Sequence, residues 1–487
     1  MIFFRVLFTT LLFALVANGA FSQISPDSVF RKNDLIKDLY SLKSTILESH
    51  PNPYAFCTEL EFREAFGKAI EKIEGDMPLK DYVRIVEQAM VVMRDSHSGL
   101  DYGYLQKMQI ENKNSFLPFR VHSYGSDLFI EADRDTIFPK GAKIVCIDNQ
   151  DARTLYQPAI YYSHIEGNSL TSQRRIADAV FPYLSGLYYN FPDTIKVDVE
   201  PFGKDTIETI VTTLYTKPQW EERQKRNRHT AMSRSMNLDF YAHDSVAVLK
   251  IGTFAPGDKK KYKKFIKASF ELIAAKDVQL LAIDLRDNGG GQSSNVEYLY
   301  SFIDKKGYNT PSNIIGKASA LAQTRSKVQK SSFMLWMLRT FYKKDEDVRG
   351  FLKLQDLEMG KLDTIYFKDP MVQKEKYVYD GKAVLFINGL TASASVDFTN
   401  AFLKNERGDV LGESCMGPKT GTFGNPTTYT LPLTELKVSI STIRYNYDNT
   451  FTYEEKPLKP TIEVLLLPEH LATGTDPYLN YTLQKIF

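Results

Sequence analysis

This sequence of 487 residues has few cysteines, lacks the common metal-binding motifs and has almost no excess of positive or negative charge. Its three cysteines, Cys57, Cys146 and Cys415, are far apart, so neither a disulfide framework nor a cysteine-rich zinc site is expected. Sixty-one basic and 59 acidic residues leave a net charge of +2, which argues against nucleic acid as a partner. The sequence contains no HExxH motif and no histidine pair at i, i+4. We therefore expect no catalytic metal and no cofactor.

Long apolar runs are also missing, with one exception at the N-terminus. An apolar stretch at 6–16 follows Arg5, and Ala20 and Ser22 supply small residues at the spacing that a signal peptidase reads. We expect residues 1–22 to be a signal peptide and the mature protein to be exported, periplasmic or secreted; an uncleaved anchor helix is the alternative. After cleavage, no segment reaches the ~18 apolar residues that a membrane span needs.

The length predicts about three domains at ~150 residues per domain. Residues 28–100 carry apolar side chains at helical spacing and predict an N-terminal helical segment. Short alternating strands at 115–215 predict a β-rich module. Strands and helices alternate over 240–470, which predicts an α/β core with an insertion at 305–380. A C-terminal helix is predicted at 471–487.

Two predicted core strands run into turns of small residues. In IDLRDNGGGQSS (283–294), the glycines would expose successive backbone N–H groups at the start of a helix, which suits an anion or a developing oxyanion. In FINGLTASASVDFTNAF (386–402), a serine at the strand–helix junction can expose its hydroxyl beside helix N–H groups. Ser393 and Ser395 both fit this role by spacing. Taken alone, the first segment favours an anion site over a simple strand–helix turn, whereas the serines of the second are better explained as helix N-caps.

A serine nucleophile needs a base, and the dipeptide Ser96–His97 supplies one candidate. Histidine has the unperturbed pKa that suits proton transfer near neutral pH. His97 follows a predicted helix, where the chain can turn a side chain into a cleft. His50 precedes Pro51 and is better explained as a helix-end residue, and the other five histidines lie in strand, loop or polar contexts without a matching partner.

In this order, the segments resemble the C-terminal processing (tail-specific) serine peptidases and the related tricorn core. LLAIDLRDNGGGQSS (280–294) is similar to the strand and glycine-rich turn of that family. TASASVDFTNAF (391–402), followed by VLGESCMG (410–417), is similar to its nucleophile segment. MRDSHSGL (93–100) resembles the histidine-using branch, and FPKGAKIVCIDNQDARTL (138–155) is similar to the end of its PDZ-like module.

The resemblance implies a multi-domain α/β fold in which a PDZ-like module at 115–215 precedes a ClpP/crotonase-like core at 240–470. It implies that Ser393 is the nucleophile. It also implies an oxyanion hole formed by backbone N–H groups at Gly290 and at Ala394, the residue after the nucleophile.

Two different bases are possible within the family. One branch uses a lysine that follows the serine, and Lys419 lies near that position, although Pro418 shifts it by one residue. The other branch uses the histidine of a serine–histidine pair, assisted by a distant glutamate. Ser96, His97 and Glu454 occupy the corresponding positions here. Because of the shift at Pro418, His97 is the favoured base and Lys419 is the alternative.

The sequence thus predicts an exported serine endopeptidase that cleaves unfolded or tail-exposed polypeptides. Its partner would be a polypeptide substrate and not nucleic acid. Retinoid-carrying proteins share this core without peptidase activity, so a non-catalytic peptide- or lipophile-binding envelope protein is the alternative. An envelope scaffold without activity is a third possibility.

Overall fold

The computed structural model describes residues 25–101, 115–131, 137–161, 163–226, 236–308, 311–324, 332–341, 352–354, 356–367 and 375–485. The predicted signal peptide at 1–22 lies outside the described residues. The chain forms two compact units, each assembled from three separate parts of the sequence. Unit 1 takes its residues from 1–108, 310–369 and 420–455, and unit 2 takes its residues from 109–309, 370–419 and 456–487. Among the described residues, no helix combines the length and the apolar character needed to cross a membrane.

The helices, in chain order, are α1 (Lys32–Ser49), α2 (Glu59–Glu71), α3 (Leu79–Met90), α4 (Ala152–Tyr161), α5 (Leu170–Tyr188), α6 (Lys217–Arg226), α7 (Lys259–Ala275), α8 (Ser293–Tyr300), α9 (Ala320–Thr324), α10 (Ser332–Phe341), α11 (Ala394–Lys404), α12 (Pro468–Thr473) and α13 (Pro477–Gln484).

The strands, in chain order, are β1 (Val29–Phe30), β2 (Met77–Pro78), β3 (Gly99–Leu100), β4 (Arg120–Tyr124), β5 (Asp127–Glu131), β6 (Lys143–Ile147), β7 (Gln150–Asp151), β8 (Thr194–Glu200), β9 (Glu208–Thr213), β10 (Met236–Tyr241), β11 (Val246–Ile251), β12 (Leu280–Asp284), β13 (Asn313–Lys317), β14 (Leu362–Tyr366), β15 (Lys382–Ile387), β16 (Gly408–Gly412), β17 (Gly421–Gly424), β18 (Thr427–Thr430), β19 (Lys437–Ile440), β20 (Ile443–Asn446) and β21 (Ile462–Glu463).

Unit 1 combines the predicted N-terminal helices with small antiparallel sheets. α2 begins with a capping box, in which the Thr58 hydroxyl accepts the N–H of Glu61 and the Glu61 carboxylate accepts the N–H of Thr58. One sheet has the strand order β14-β13-β20-β17 and another has the order β18-β19-β3. β13 and β14 fall in the region predicted as an insertion, where the sequence indicated no strands.

A buried carboxylate joins the first helix of unit 1 to a late part of the chain. Asp38 on α1 is fully buried and accepts the backbone N–H groups of Leu433 (3.0 Å) and Thr434 (2.8 Å). It also accepts the Thr434 hydroxyl at 2.6 Å. Charge-assisted hydrogen bonds of this kind offset the desolvation of a buried carboxylate. The N-terminal helices are therefore part of unit 1 and not a separate appendage.

Unit 2 contains the predicted α/β core. Its main sheet has the order β10-β11-β12-β15-β16-β21, in which only β10 is antiparallel to its neighbour. All of β12 is buried, and so is β15 after its first residue. Continuous apolar strands are typical of parallel sheets that are covered on both faces. The two core strands predicted before the turns of small residues are thus confirmed as β12 and β15, together with the α/β class.

A second sheet of unit 2 has the order β4-β5-β6-β8-β9, with β7 paired to β6. All its pairings are antiparallel, and α4 and α5 lie between β7 and β8 in the chain. The β-rich segment predicted at 115–215 therefore forms one sheet with two added helices. Its PDZ-like nature stays a prediction.

The end of the chain differs from the single helix predicted at 471–487. α12 ends at Thr473 and is capped by Gly474, whose φ of 70° is left-handed and suits glycine. Asp476 then starts α13, because its carboxylate accepts the N–H groups of Tyr478 and Leu479. Two short helices replace one because a helix stop and a helix start lie only two residues apart.

Candidate active site

The two turns that were predicted to carry chemistry leave neighbouring strands of the main sheet in unit 2. β11, β12 and β15 are adjacent and parallel, with Leu249 opposite Ile283 and Ile283 opposite Leu385. Parallel strands end at the same edge of a sheet, and ligand sites form beyond this edge. The glycine-rich turn after β12 and the serine turn after β15 therefore meet at one place.

Arg286 anchors the beginning of the glycine-rich turn. Its guanidinium donates hydrogen bonds to the carboxylates of Asp284 (2.8 and 2.9 Å) and Asp476 (2.8 and 3.0 Å). It also lies 4.4 Å from the ring centroid of Tyr478. Burial opposes ionisation of Asp284, but the charge and hydrogen bonds of Arg286 hold the pKa of that carboxyl below its usual value. The turn thus starts from a rigid ion-pair cluster.

Ser393 occupies a strained position between β15 and α11. Its φ of 53° and ψ of −125° are rare for a residue with a side chain. Such strain costs on the order of 1–3 kcal/mol and is found mainly where a structure enforces it, especially at active sites. The side chain makes no capping hydrogen bond to the helix. Its hydroxyl is therefore not used as an N-cap, which was the purely structural alternative.

The structure separates the two serines that fit equally well by spacing. Ser395 is fully buried, and its hydroxyl has no hydrogen-bond partner in the part of the chain that the structure describes. Ser393 is partly exposed. A hydroxyl that is sealed from solvent cannot reach a substrate, so Ser393 is the better candidate.

Gly290 packs directly against the serine turn. A Cβ atom at this position would lie 2.7 Å from the carbonyl oxygen of Ala392 and 2.8 Å from Cβ of Ser393. The same atom would lie 2.9 Å from the amide nitrogen of Ala394, and the φ of Gly290 is 94°. Only glycine allows this approach. The structure therefore brings together Gly290, Ser393 and Ala394, the three residues predicted for the nucleophile and the oxyanion hole.

One of the two N–H groups predicted for the oxyanion hole, that of Gly290, already has a hydrogen-bond acceptor. The N–H of Gly290 donates to Oδ1 of Asn288 at 2.9 Å. The N–H of Ala394 is at the first position of α11, where helix N–H groups have no intrahelical acceptor. Asn288 was not singled out from the sequence, although an asparagine just before glycines is typical of turns in which its side chain accepts a nearby N–H.

Lys419 belongs to the same unit as Ser393 and is exposed. It follows Pro418, which forms an isolated antiparallel bridge with Pro457. The N–H of Leu458 donates to the carbonyl of Gly417 at 2.8 Å, so the segment before the lysine is held by the chain that follows β20.

Ser96, His97 and Glu454 belong to unit 1. His97 lies in a turn just before β3, and Oγ of Ser96 lies 3.2 Å from its Nδ1. The N–H of His97 donates to the carboxylate of Asp95 at 2.8 Å. The backbone at His97 is therefore fixed by the residue two positions before it.

Asp95 is the centre of a buried hydrogen-bond network around this turn. His50 receives the N–H of Asn52 on Nδ1, so its Nε2–H donates to Asp95 at 3.0 Å. The hydroxyl of Ser98 also donates to Asp95. Burial opposes ionisation of Asp95, but the hydrogen bond from His50, with smaller contributions from His97 and Ser98, holds the pKa of its carboxyl well below the usual value. The sequence analysis missed this carboxylate.

Glu454 is half-buried, and its N–H donates to the Thr420 hydroxyl at 3.4 Å. The next residue, Glu455, forms an ion pair with Arg94 at 3.1 Å. Because Arg94 starts the turn that leads to His97, this pair links the glutamate segment to the histidine turn within unit 1.

A buried ionic cluster in unit 2 was also missed. Arg175 on α5 forms two ion pairs at 2.7 Å, one with Glu413 after β16 and one with Asp178. It also donates to Nδ1 of His122 at 3.3 Å and to the carbonyl of Ser123 at 3.1 Å. No local sequence pattern joins these residues, because Arg175 and Glu413 are 238 positions apart.

The neutral state of His122 predicts a loss of stability in acid. Burial, together with the charge of Arg175, lowers the pKa of His122 to about 3. A histidine with a lowered folded-state pKa contributes stability above its unfolded pKa of ~6.5, and this contribution is lost as pH falls towards 3. We expect a loss on the order of 5 kcal/mol over this range, measured by urea unfolding at several pH values.

His122→Gln is the matched variant, because its amide can keep one donor and one acceptor without titrating. Its unfolding free energy should depend less on pH than that of the wild type between pH 6.5 and 3. Parallel curves for the two proteins would contradict the role of His122.

Comparison with solved structures identifies proteins of similar fold. Mature CPAF is 12% identical, with 93% of this chain and 96% of that chain covered, and has a TM-score of 0.62. Mature CPAF complexed with lactacystin is 13% identical, with 93% and 97% covered and a TM-score of 0.63. A CPAF mutant reaches a TM-score of 0.67 at 12% identity, with 92% and 96% covered. At this identity the likeness shows a shared fold.

No curated protein matches the sequence significantly. Residues 245–464 match the model of peptidase family S41. The matched range contains the glycine-rich turn and the Ser393 segment, which are two of the segments that carried the resemblance. The chain therefore carries a peptidase family S41 domain and is a serine-type peptidase.

Proposed function

We propose that this protein is an exported endopeptidase that cleaves unfolded or tail-exposed polypeptides, with Ser393 as nucleophile and His97 as base. The observation that carries the proposal is the strained Ser393 at the start of α11, with Gly290 packed against it and the N–H of Ala394 beside it. Export is supported by the signal-peptide pattern at 1–22. A polypeptide substrate follows from the peptidase family.

In the proposed reaction, Oγ of Ser393 attacks the carbonyl carbon of the peptide bond while its proton passes to His97. Backbone N–H groups of Ala394 and of the glycine-rich turn stabilise the negative oxygen of the tetrahedral intermediate. The C–N bond then breaks as His97 gives its proton to the leaving amine. Water attacks the acyl-enzyme ester in the same way, which releases the new carboxyl terminus and restores Ser393.

His97 is supported as the base by its surroundings in unit 1. Asp95 fixes its backbone, and Ser96 lies within reach of its Nδ1. In the proposal, Glu454 stabilises the imidazolium that forms during the reaction. Lys419 is exposed, whereas a lysine base needs a desolvated side chain whose pKa is lowered. This contrast favours His97 over Lys419.

Covalent labelling with a fluorophosphonate probe tests the nucleophile. We expect the full chain to be labelled on Ser393 and the Ser393→Ala variant to remain unlabelled, because the variant lacks the attacking oxygen. Ser395→Ala is the matched control and should be labelled like the wild type. Undiminished labelling of Ser393→Ala would rule out the nucleophile, and no labelling of the wild type would favour a non-catalytic binding protein.

The rate of the same reaction separates the two bases. A general base contributes ~10²–10⁴-fold, so His97→Ala should lower the labelling rate by about this factor. Lys419→Ala should stay within about threefold of the wild type, because the exposed Lys419 side chain lacks the desolvation that a lysine base needs. The opposite ranking of the two variants would assign the base to Lys419.

A further inference from the structure

Asn288 joins the extensions of three neighbouring strands at the candidate site. It follows β12 and is fully buried. Its Nδ2 donates to the carbonyl of Ile251, the last residue of β11, at 2.8 Å. Its backbone carbonyl accepts the N–H of Ala392, the residue before Ser393, at 3.0 Å. A single side chain and its peptide group thus tie the glycine-rich turn both to β11 and to the serine turn.

The remaining oxygen of Asn288 sets the orientation of the glycine-rich turn. Oδ1 accepts the N–H of Gly290 at 2.9 Å, and the carbonyl of Gly290 accepts the N–H of Phe254 at 3.0 Å. The N–H of Gln292 donates back to the carbonyl of Phe254 at 3.0 Å. Gly291 is therefore the central residue of a parallel bridge with Phe254.

The bridge decides which way the N–H of Gly291 points. Backbone groups alternate in direction along an extended segment, so the central residue of a parallel bridge directs its own N–H away from the bridged segment. β15 lies on the side of β12 opposite to β11. The N–H of Gly291 therefore faces the side on which β15 continues into Ser393.

We propose that Asn288 is a positioning residue of the peptidase reaction: its carboxamide engages the N–H of Gly290, which directs the N–H of Gly291 towards the oxyanion that forms at Ser393. Gly291 and Ala394 then supply the two donors, and Gly290 supplies the close approach between the turns. This inference rests on the proposed function, because it assumes that Ser393 is the nucleophile.

Loss of the carboxamide should affect the chemical step more than binding. Without the Asn288 carboxamide, the three consecutive glycines at 289–291 would have many accessible conformations. The N–H of Gly291 would then spend less time in the position that stabilises the oxyanion. Removing one oxyanion donor costs ~10²–10³-fold in rate, and misplacing it costs less. Because the donor acts on charge that develops in the transition state, the affinity for the ground state should change little.

The test measures the rate at which a fluorophosphonate labels the full chain at several probe concentrations. This separates the maximal labelling rate from the probe concentration that gives half of it. Asn288→Ala should lower the maximal labelling rate by about 10- to 100-fold and leave the half-saturating probe concentration within about threefold of that of the wild type. Asn313→Ala is the matched control, since Asn313 is also fully buried and bonded to Asn446, Asp448 and Asn449 in unit 1. It should lower the melting temperature but keep the maximal rate within threefold.

An unchanged maximal rate in Asn288→Ala, or an equal loss in Asn313→Ala, would overturn the role of Asn288. Where the alanine variant does not fold, the nearly isosteric Asn288→Asp replaces it. Its carboxylate places negative charge beside the oxyanion, so the maximal rate should fall at least tenfold, and an unchanged rate would again overturn the role. Absence of labelling in the wild type would instead overturn the proposed function, so the two failures are distinct.

Discussion

The Gly290→Ala variant is expected to react with a fluorophosphonate at least about 100-fold more slowly than the wild type, because a methyl group at this position collides with the serine turn. The added Cβ would lie within 3 Å of Ala392 O, Ser393 Cβ and Ala394 N, and two of these three atoms are backbone. The collision is relieved only if the glycine-rich turn and the serine turn move apart, which moves the nucleophile away from the oxyanion donors. The φ of 94° adds strain that any side chain would meet.

Gly289→Ala is the matched control for this prediction. The neighbouring glycine has no heavy atom within 4 Å of an added Cβ and has no left-handed φ. Its variant keeps the backbone N–H and should react within about threefold of the wild type. Equal losses in the two variants would show that general stiffening of the turn is responsible, and not the contact between Gly290 and the serine turn.

The Arg175→Met variant is expected to lose about 3–5 kcal/mol of stability, because it leaves two buried carboxylates without their cation. Glu413 and Asp178 are each at most 7% exposed in their side chains. Methionine keeps much of the volume of the arginine stem, so the loss measures charge more than packing. Urea or thermal unfolding of the full chain measures this effect, and a melting temperature lower by about 6–15 °C is expected.

Arg153→Ala provides the comparison at the surface. Arg153 pairs with Asp127 at 2.7 Å, the same distance as the pairs of Arg175, but half of its side chain is exposed. Solvent screening limits such a pair to about 0–1 kcal/mol. A loss for Arg175→Met no larger than that for Arg153→Ala would contradict the importance of burial in this cluster.

The sequence predicts those parts of the structure whose signal is local. Continuous apolar runs identify β12 and β15, and the small residues after them identify the two turns of the site. The capping box of Thr58 and Glu61 is also a local signal, because its two partners are three residues apart. The S41 match confirms the family that the order of these segments indicated.

The parts that were missed depend on contacts between distant residues. β13 and β14 become strands because they extend a sheet that includes β20, and nothing in their own sequence requires this. The partners of Arg175 come from three separate segments. Spacing also fits Ser393 and Ser395 equally, because it does not show which hydroxyl the fold buries. Burial is a tertiary property, and it separates the two.

The pairing of β3 with β19 has a consequence for biosynthesis. β3 directly follows the turn of His97, and the Ser98 hydroxyl of that turn accepts the N–H of Ser441, which is encoded near the end of the chain. At ~5–20 residues per second, tens of seconds separate the synthesis of the two partners. The surroundings of the proposed base are therefore completed only when most of the protein has been made. If His97 is the base, as proposed, the peptidase acquires its complete site only after most of the chain has been synthesised.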